Sequence, residues 1–181
     1  MKALKIIIVG FVYIVIPYLL ISCISENKKM NIEKLLDSDN INNSIIEIDN
    51  YVGELCEYGD SLDKLTKAQK IFYYNQCLER EVNNGGFNQY FYNSSGDYSN
   101  ETVEALKAIG AIKTSSILQR AINQFPNGIV PKDRDERISL LQQIENKANE
   151  KCDKLDQEFY NYEDNLNELN IEFIKKNKKD F

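Results

Sequence analysis

The chain opens on Lys2 and Lys5, runs uncharged through residues 6–25 and then turns polar. A positive start followed by an apolar stretch is the order of a secretory signal. The next segment, ISENKKMNIEKLLDSDNINNS, offers few side chains able to bury anything and reads as a tether, with room for one short helical turn at Ile32, Leu35 and Leu36.

From Ser44 the apolar positions recur at three and four: Ile45, Ile48, Val52 and Leu55 predict a helix capped by Ser44 and ending near Tyr58 and Gly59. Thr66-Lys67-Ala68-Gln69 has the form of a capping box and opens a second helix with Ile71, Tyr74, Leu78 and Val82 on one face. Tyr73 and Cys77 make its other face semi-apolar, which predicts a central position. Asn84-Gly85-Gly86 stops it, and Phe87 to Tyr92 forms a short aromatic segment of about two turns before the turn-forming Asn93-Ser94-Ser95-Gly96-Asp97.

Ser99 or Asn100 caps a helix with Val103, Leu106, Ile109 and Ile112, broken at Gly110. Thr114 or Ser115 caps another with Ile117, Leu118, Ala121, Ile122 and Phe125. Asp133, Asp135 and Glu136 then stand where acids oppose the positive end of a helix dipole. The stripe that follows is Ile138, Leu141, Ile144, Ala148, Cys152, Leu155, Phe159 and Tyr162, continuing through Leu166, Leu169 and Phe173. A helix of that length is unusual in a compact domain, so a break is expected near Glu163-Asp164-Asn165, with the last helix folding back. The expected architecture is all-α: residues 1–22 a leader, 23–43 a tether, 44–181 one multi-helix domain.

Leu20-Ile21-Ser22-Cys23 resembles the bacterial lipobox. The resemblance implies lipidation of the Cys23 thiol and cleavage before it, and hence a lipid anchor in the inner or outer membrane of the cell envelope. The other reading is an uncleaved anchor, for which the apolar run is near the lower limit of the ~17–25 residues a span needs. Both take the domain out of the cytoplasm.

The run Glu79-Arg80-Glu81-Val82-Asn83-Asn84-Gly85-Gly86-Phe87-Asn88-Gln89-Tyr90-Phe91-Tyr92-Asn93-Ser94-Ser95-Gly96 resembles the hallmark of the DNA-mimic protein C-terminal domain family. Later blocks follow in order: Glu104 to Ala111, Phe125-Pro126 with Pro131, Asp133, Arg134 and Arg137, and Leu155-Asp156 with Phe159-Tyr160-Asn161-Tyr162. The resemblance implies an all-helical fold. It also implies, for one reading of function, carboxylates that imitate DNA phosphates before a DNA-binding partner.

Charge bears on that reading. The chain has 22 basic and 28 acidic residues, so removal of a leader with Lys2 and Lys5 leaves 20 against 28, a net of −8. Asp153, Asp156, Glu158, Glu163 and Asp164 form an acidic stripe that can meet a basic surface or stand as an ordinary solvated helix face. The envelope location argues against mimicry, since a repressor lies on the other side of the membrane.

Catalysis finds little support. The chain contains no histidine, which removes the commonest general base and zinc ligand. Glu79 with Glu81, and Asp133 with Asp135 and Glu136, are the carboxylate groupings left, and neither has the spacing of a cation loop. No cofactor or metal is expected.

Asn83, Asn84, Asn88, Gln89, Tyr90, Tyr92 and Asn93 are the candidate binding surface, because amides and phenols set donors and acceptors beside flat apolar faces. The same block also reads as a helix corner, its glycines turning the chain and its amides capping backbone ends. Cys56 and Cys77 lie on neighbouring antiparallel helices and either pair in an oxidising compartment, closing a loop of about 20 residues for roughly 3 kcal/mol, or stand as buried thiols. The expected activity is binding of a protein partner, with direct nucleic-acid binding not expected.

Overall fold

The computed structural model describes residues 30–181, the side chains of 145–153 excepted. Cys23 and the leader lie outside these residues, as do the side chains of Ala148, Cys152 and Asp153. The described elements are helical throughout: α1 (Ile32–Leu36), α2 (Ile41–Leu55), α3 (Lys67–Tyr92), α4 (Ser99–Ile109), α5 (Ile112–Ile122), α6 (Arg134–Tyr160) and α7 (Leu166–Lys176), with short 3-10 segments between α2 and α3, α3 and α4, and α5 and α6, and after α7.

Packing begins before Ser44. The side chain of Asn40, not Ser44, caps α2, accepting from the Asn43 N–H at 3.1 Å. Ser44 is one turn further in and buried, and its hydroxyl donates to the Leu35 carbonyl at 2.7 Å, fastening α1 to α2. Leu36 is buried as well, so the stretch read as tether carries the first packed helix.

The long α3 is central because both its faces are apolar. Leu78, Val82, Phe87, Tyr90 and Phe91 join Leu106 of α4, Leu118 and Ile122 of α5, and Leu141 and Phe159 of α6 in one core cluster. Phe72, Tyr73 and Cys77 join Ile45, Ile48 and Val52 of α2 and Ile171 and Ile174 of α7 in a second. Asn75 and Asn170, both fully buried, meet by a 3.3 Å hydrogen bond from α3 to α7.

Helix ends follow local chemistry in some places and distant side chains in others. Thr66 and Gln69 form the capping box, with bonds of 3.1 and 3.0 Å. Asp133 caps α6, accepting from the Glu136 N–H at 2.9 Å, and Asn165 caps α7 after the expected break. α4 starts behind Tyr98 with no side-chain cap; the Ser99 hydroxyl turns back to the Gly96 carbonyl at 2.6 Å. α5 starts behind Ala111, with Thr114 and Ser115 already inside it. The first-turn N–H of Thr114, which has no acceptor within the helix, is taken by Asp164, fifty residues on, at 2.8 Å.

Candidate functional site

The amide and aromatic block forms a corner within α3. Gly85 and Gly86 leave helical geometry, with Gly86 at φ 71° in the left-handed region where a Cβ is costly. A Cβ there would also stand 2.2 Å from Asp156 Oδ2. One turn of α6 serves both sides of the bend: the Asp156 carboxylate accepts from the Phe87 N–H at 2.8 Å, and the Tyr160 hydroxyl donates to the Val82 carbonyl at 2.9 Å. Side chains four apart share a helix face, which is why α6 can supply both. Glu81 clamps the bend from within, accepting from Gln89 Nε2 at 2.7 Å and Asn93 Nδ2 at 2.8 Å.

A buried arginine locks the far end of the corner. Arg137 has no exposed surface; Nε donates to the Phe91 carbonyl at 2.7 Å, Nη1 to Pro131 at 2.7 Å, and Nη2 to Asn93 at 3.2 Å. Nη2 also pairs with the Asp97 carboxylate at 2.6 Å. Gly96 makes room, since a Cβ would meet Arg137 Nε at 2.8 Å. Charge-assisted bonds to fixed carbonyls stabilise a buried guanidinium that would otherwise be costly.

The seven candidate residues therefore point different ways. Gln89 and Asn93 bind Glu81, and Tyr90 is fully buried with its hydroxyl 3.0 Å from Thr102 Oγ1. Asn84 is exposed, Asn88 is half-buried, and exposed Tyr92 carries the Arg134 guanidinium 5.2 Å from its ring centre. Asn83 alone reaches an open polar groove between α2 and α3, of about 400 Å³ and shared with Asn42, Asp49, Gln76, Glu79, Arg80 and Asn167.

In that groove Asn83 donates to the Tyr162 hydroxyl, which donates to Glu79 Oε1 at 3.0 Å. Arg80 donates to Asp49 at 2.8 Å. Burial pushes the carboxyl of Glu79 up, with the nearby Asp49 adding to the effect. Burial also raises Asp49, outweighing the Arg80 charge beside it.

The acidic stripe along the end of α6 and the turn after it is largely engaged at home. Asp156 and Asp164 cap helices, Glu158 holds Arg120 in a two-pronged pair, and Glu163 lies 3.9 Å from Lys113. The net charge sits elsewhere. Residues 30–63 contain Glu33, Asp37, Asp39, Glu47, Asp49, Glu54, Glu57, Asp60 and Asp63 against the one base Lys34, whereas residues 64–181 contain 18 acids and 17 bases. Asp49 and Glu57 have cationic partners; among the described residues the other seven form no ion pair.

Cys56 and Cys77 are free and buried, so the candidate disulfide is not formed. The Cys56 thiol donates to the Gly53 carbonyl at 3.5 Å and Cys77 Sγ accepts from Arg80 Nη2 at 3.4 Å, yet burial dominates and raises both, Cys77 to about 11. Among the described residues no group of three His, Cys, Asp or Glu side chains is placed to hold a metal ion, and no helix is long and apolar enough to cross a membrane.

These features define an all-α domain built round a glycine corner and fastened by side chains from its longest helix. Residues 63–177 match the family model described as DMP19-like protein, and the chain belongs to that family. No curated protein and no solved structure matches the chain. The matched segment takes in the corner, Arg137 and Asp156, and leaves α1 and α2 outside it.

Proposed function

We propose that this is a membrane-anchored lipoprotein whose helical domain binds a protein partner through the acidic face of residues 30–63. The observation that carries the reading is the segregation of charge: one segment holds almost the whole net charge, and seven of its nine carboxylates form no ion pair among the described residues. An excess of one sign of charge in one segment steers and selects a basic partner. The leader and the lipobox-like Leu20-Ile21-Ser22-Cys23 support the anchor.

Two measurements on protein recovered from its own cells test the two halves. Intact mass and the N-terminal peptide of the membrane fraction should give a chain beginning at acylated Cys23; a soluble, unmodified chain overturns the anchor. Affinity capture should then return a basic partner, released by moderate salt and lost when Glu33, Asp37, Asp39, Glu47 and Glu54 are replaced by their amides. Capture unchanged by those substitutions overturns the acidic face as the docking surface.

Membership of the family favours a second reading, in which the basic partner is a DNA-binding protein and the carboxylates stand in for phosphates. It predicts that duplex DNA competes with this protein for the partner, and it requires a cytoplasmic chain. A carboxylate-dependent enzyme is the third class; Glu79 and Asp49 are the half-buried acids it would use.

A further inference from the structure

We propose that a tyrosine-lined cavity between the α2–α3 turn and the start of α4 is a socket for a guanidinium group, an arginine side chain of the basic partner. The inference rests on reading residues 30–63 as the docking face, because Tyr58 and Asp60 belong to that segment and to the cavity wall.

The cavity encloses about 170 Å³ and is walled by Tyr58, Tyr73, Tyr74 and Tyr98, with Asp60 and Asp97 among them. That is enough for one planar head group, since a cavity of about 150 Å³ holds a benzene ring. Tyr74 and Tyr98 are stacked on one another, with ring centres 5.2 Å apart and planes 23° from parallel, and Lys132 Nζ stands over the Tyr98 ring at 5.8 Å from its centre, so this aromatic wall already holds one cation. Aromatic faces attract a cation through their quadrupole, and a guanidinium suits them best because it is planar and weakly hydrated.

The wall is also rich in acceptors. Asp60, Asp97, Ser94 and Ser95 line the same space and can take the N–H groups of a guanidinium, which has five. A quaternary ammonium has no donor and would leave them unused; a lysine ammonium gives up more hydration on entry. Asp97 is held from the inner side by Arg137 at 2.6 Å, so its charge is partly balanced. Asp60 is exposed and unpaired among the described residues, and it offsets the incoming charge.

The mouth is held in a fixed shape. Glu57 and Tyr58 adopt φ of 53° and 55°, ahead of Gly59 at 115°, a run of left-handed backbone that sets the Tyr58 side chain at the cavity. The Tyr58 ring closes against the bare backbone of Gly53, where a Cβ would come within 3.0 Å of it.

The test is a titration of the mature protein in detergent with methylguanidinium, methylammonium and tetramethylammonium, followed by NMR of labelled tyrosine rings. Methylguanidinium should shift the Tyr74 and Tyr98 resonances saturably and bind at least about fivefold more tightly than the other two. Asp60→Asn should weaken it about threefold to tenfold, at an exposed site that leaves the fold intact. Equal or non-saturating responses overturn the socket, and tighter binding of tetramethylammonium overturns its assignment to arginine. The two readings fail separately. If the socket is wrong, methylguanidinium does not saturate while partner capture still depends on Glu47 and Glu54; if the acidic face is wrong, capture survives its neutralisation.

Discussion

The carboxylate of Asp156 reaches across sixty-nine residues to take the N–H of Phe87 at 2.8 Å, so a side chain on one helix starts the second half of another. Removing it leaves that N–H without its acceptor. Asp156→Ala should cost about 1–2 kcal/mol, the range of a lost N-cap, read by urea unfolding. Asp156→Asn keeps an acceptor oxygen and should lose less than half as much.

Gly86→Ala should be more damaging than its single carbon suggests. The new methyl would need left-handed backbone and would sit on the Asp156 carboxylate. A loss of roughly 2–4 kcal/mol is expected from strain and the displaced cap together, again by urea unfolding. Asp156→Gly in the same chain should recover part of it, because the clash is then gone.

Arg137→Lys keeps the charge but not the planar fork that meets carbonyls of Phe91, Pro131 and Asn93 at once. Arg137→Ala removes the buried charge and leaves those carbonyls and Asp97 unmatched. Thermal and urea unfolding should show a loss of about 3–5 kcal/mol for the alanine variant, with lysine between it and the wild type. A loss below about 1 kcal/mol for alanine would sink this account of the arginine.

These three positions mark where the sequence could be read and where it could not. Thr66 with Gln69, Gly85 with Gly86, Asp133 and the break before Asn165 all act within a few residues, so spacing alone reveals them. Arg137, Asp156 and Asp164 act on backbone groups far along the chain. An arginine or aspartate on a helix reads as solvated when its partner is a main-chain atom forty or more residues away, since main-chain groups leave no mark in the sequence. The same limit hid the packing of α1: a helical turn at Ile32, Leu35 and Leu36 is legible, but its few apolar residues look too sparse to pack until α2 lies beside them. The tyrosine cavity was missed for that reason too, being assembled from the α2–α3 turn, α3 and the residues before α4.

Glu79 should make stability fall as pH rises through the carboxylate range. Its folded pKa is raised by burial, so between the unfolded and folded values the native state holds the extra proton and is favoured at the acid end. Above both values the ionised carboxylate is a net cost. Glu79→Gln keeps an acceptor for the Tyr162 hydroxyl and should stabilise the protein at pH 7, the difference from wild type shrinking to nothing on acidification. Paired unfolding curves at several pH values measure it; an amide variant less stable at pH 7 would contradict the sign.

Cys56 and Cys77 should resist alkylation in the native state at pH 8. Burial raises both thiols, that of Cys77 to about 11, and the thiolate is the reactive form. Peptide mapping after iodoacetamide should find both unmodified in native protein and labelled in urea. Rapid native labelling at Cys56 would mean that the α2–α3 interface opens readily; at Cys77, which lines the tyrosine cavity, it would mean that the cavity admits the reagent.

The acidic segment, its last residue Asp63 excepted, lies outside the part of the chain that matches the family, yet α2 is tied to that part by Ile45, Ile48 and Val52 on one face only. Selection can therefore act on two faces of one helix independently. The inner face must go on fitting α3 and α7, while the outer face can exchange one carboxylate for another, or for a neutral residue, without disturbing either. A lineage could in this way follow a changing partner, or acquire a new one, by drift confined to residues 30–63, with the shared helical body inherited unaltered.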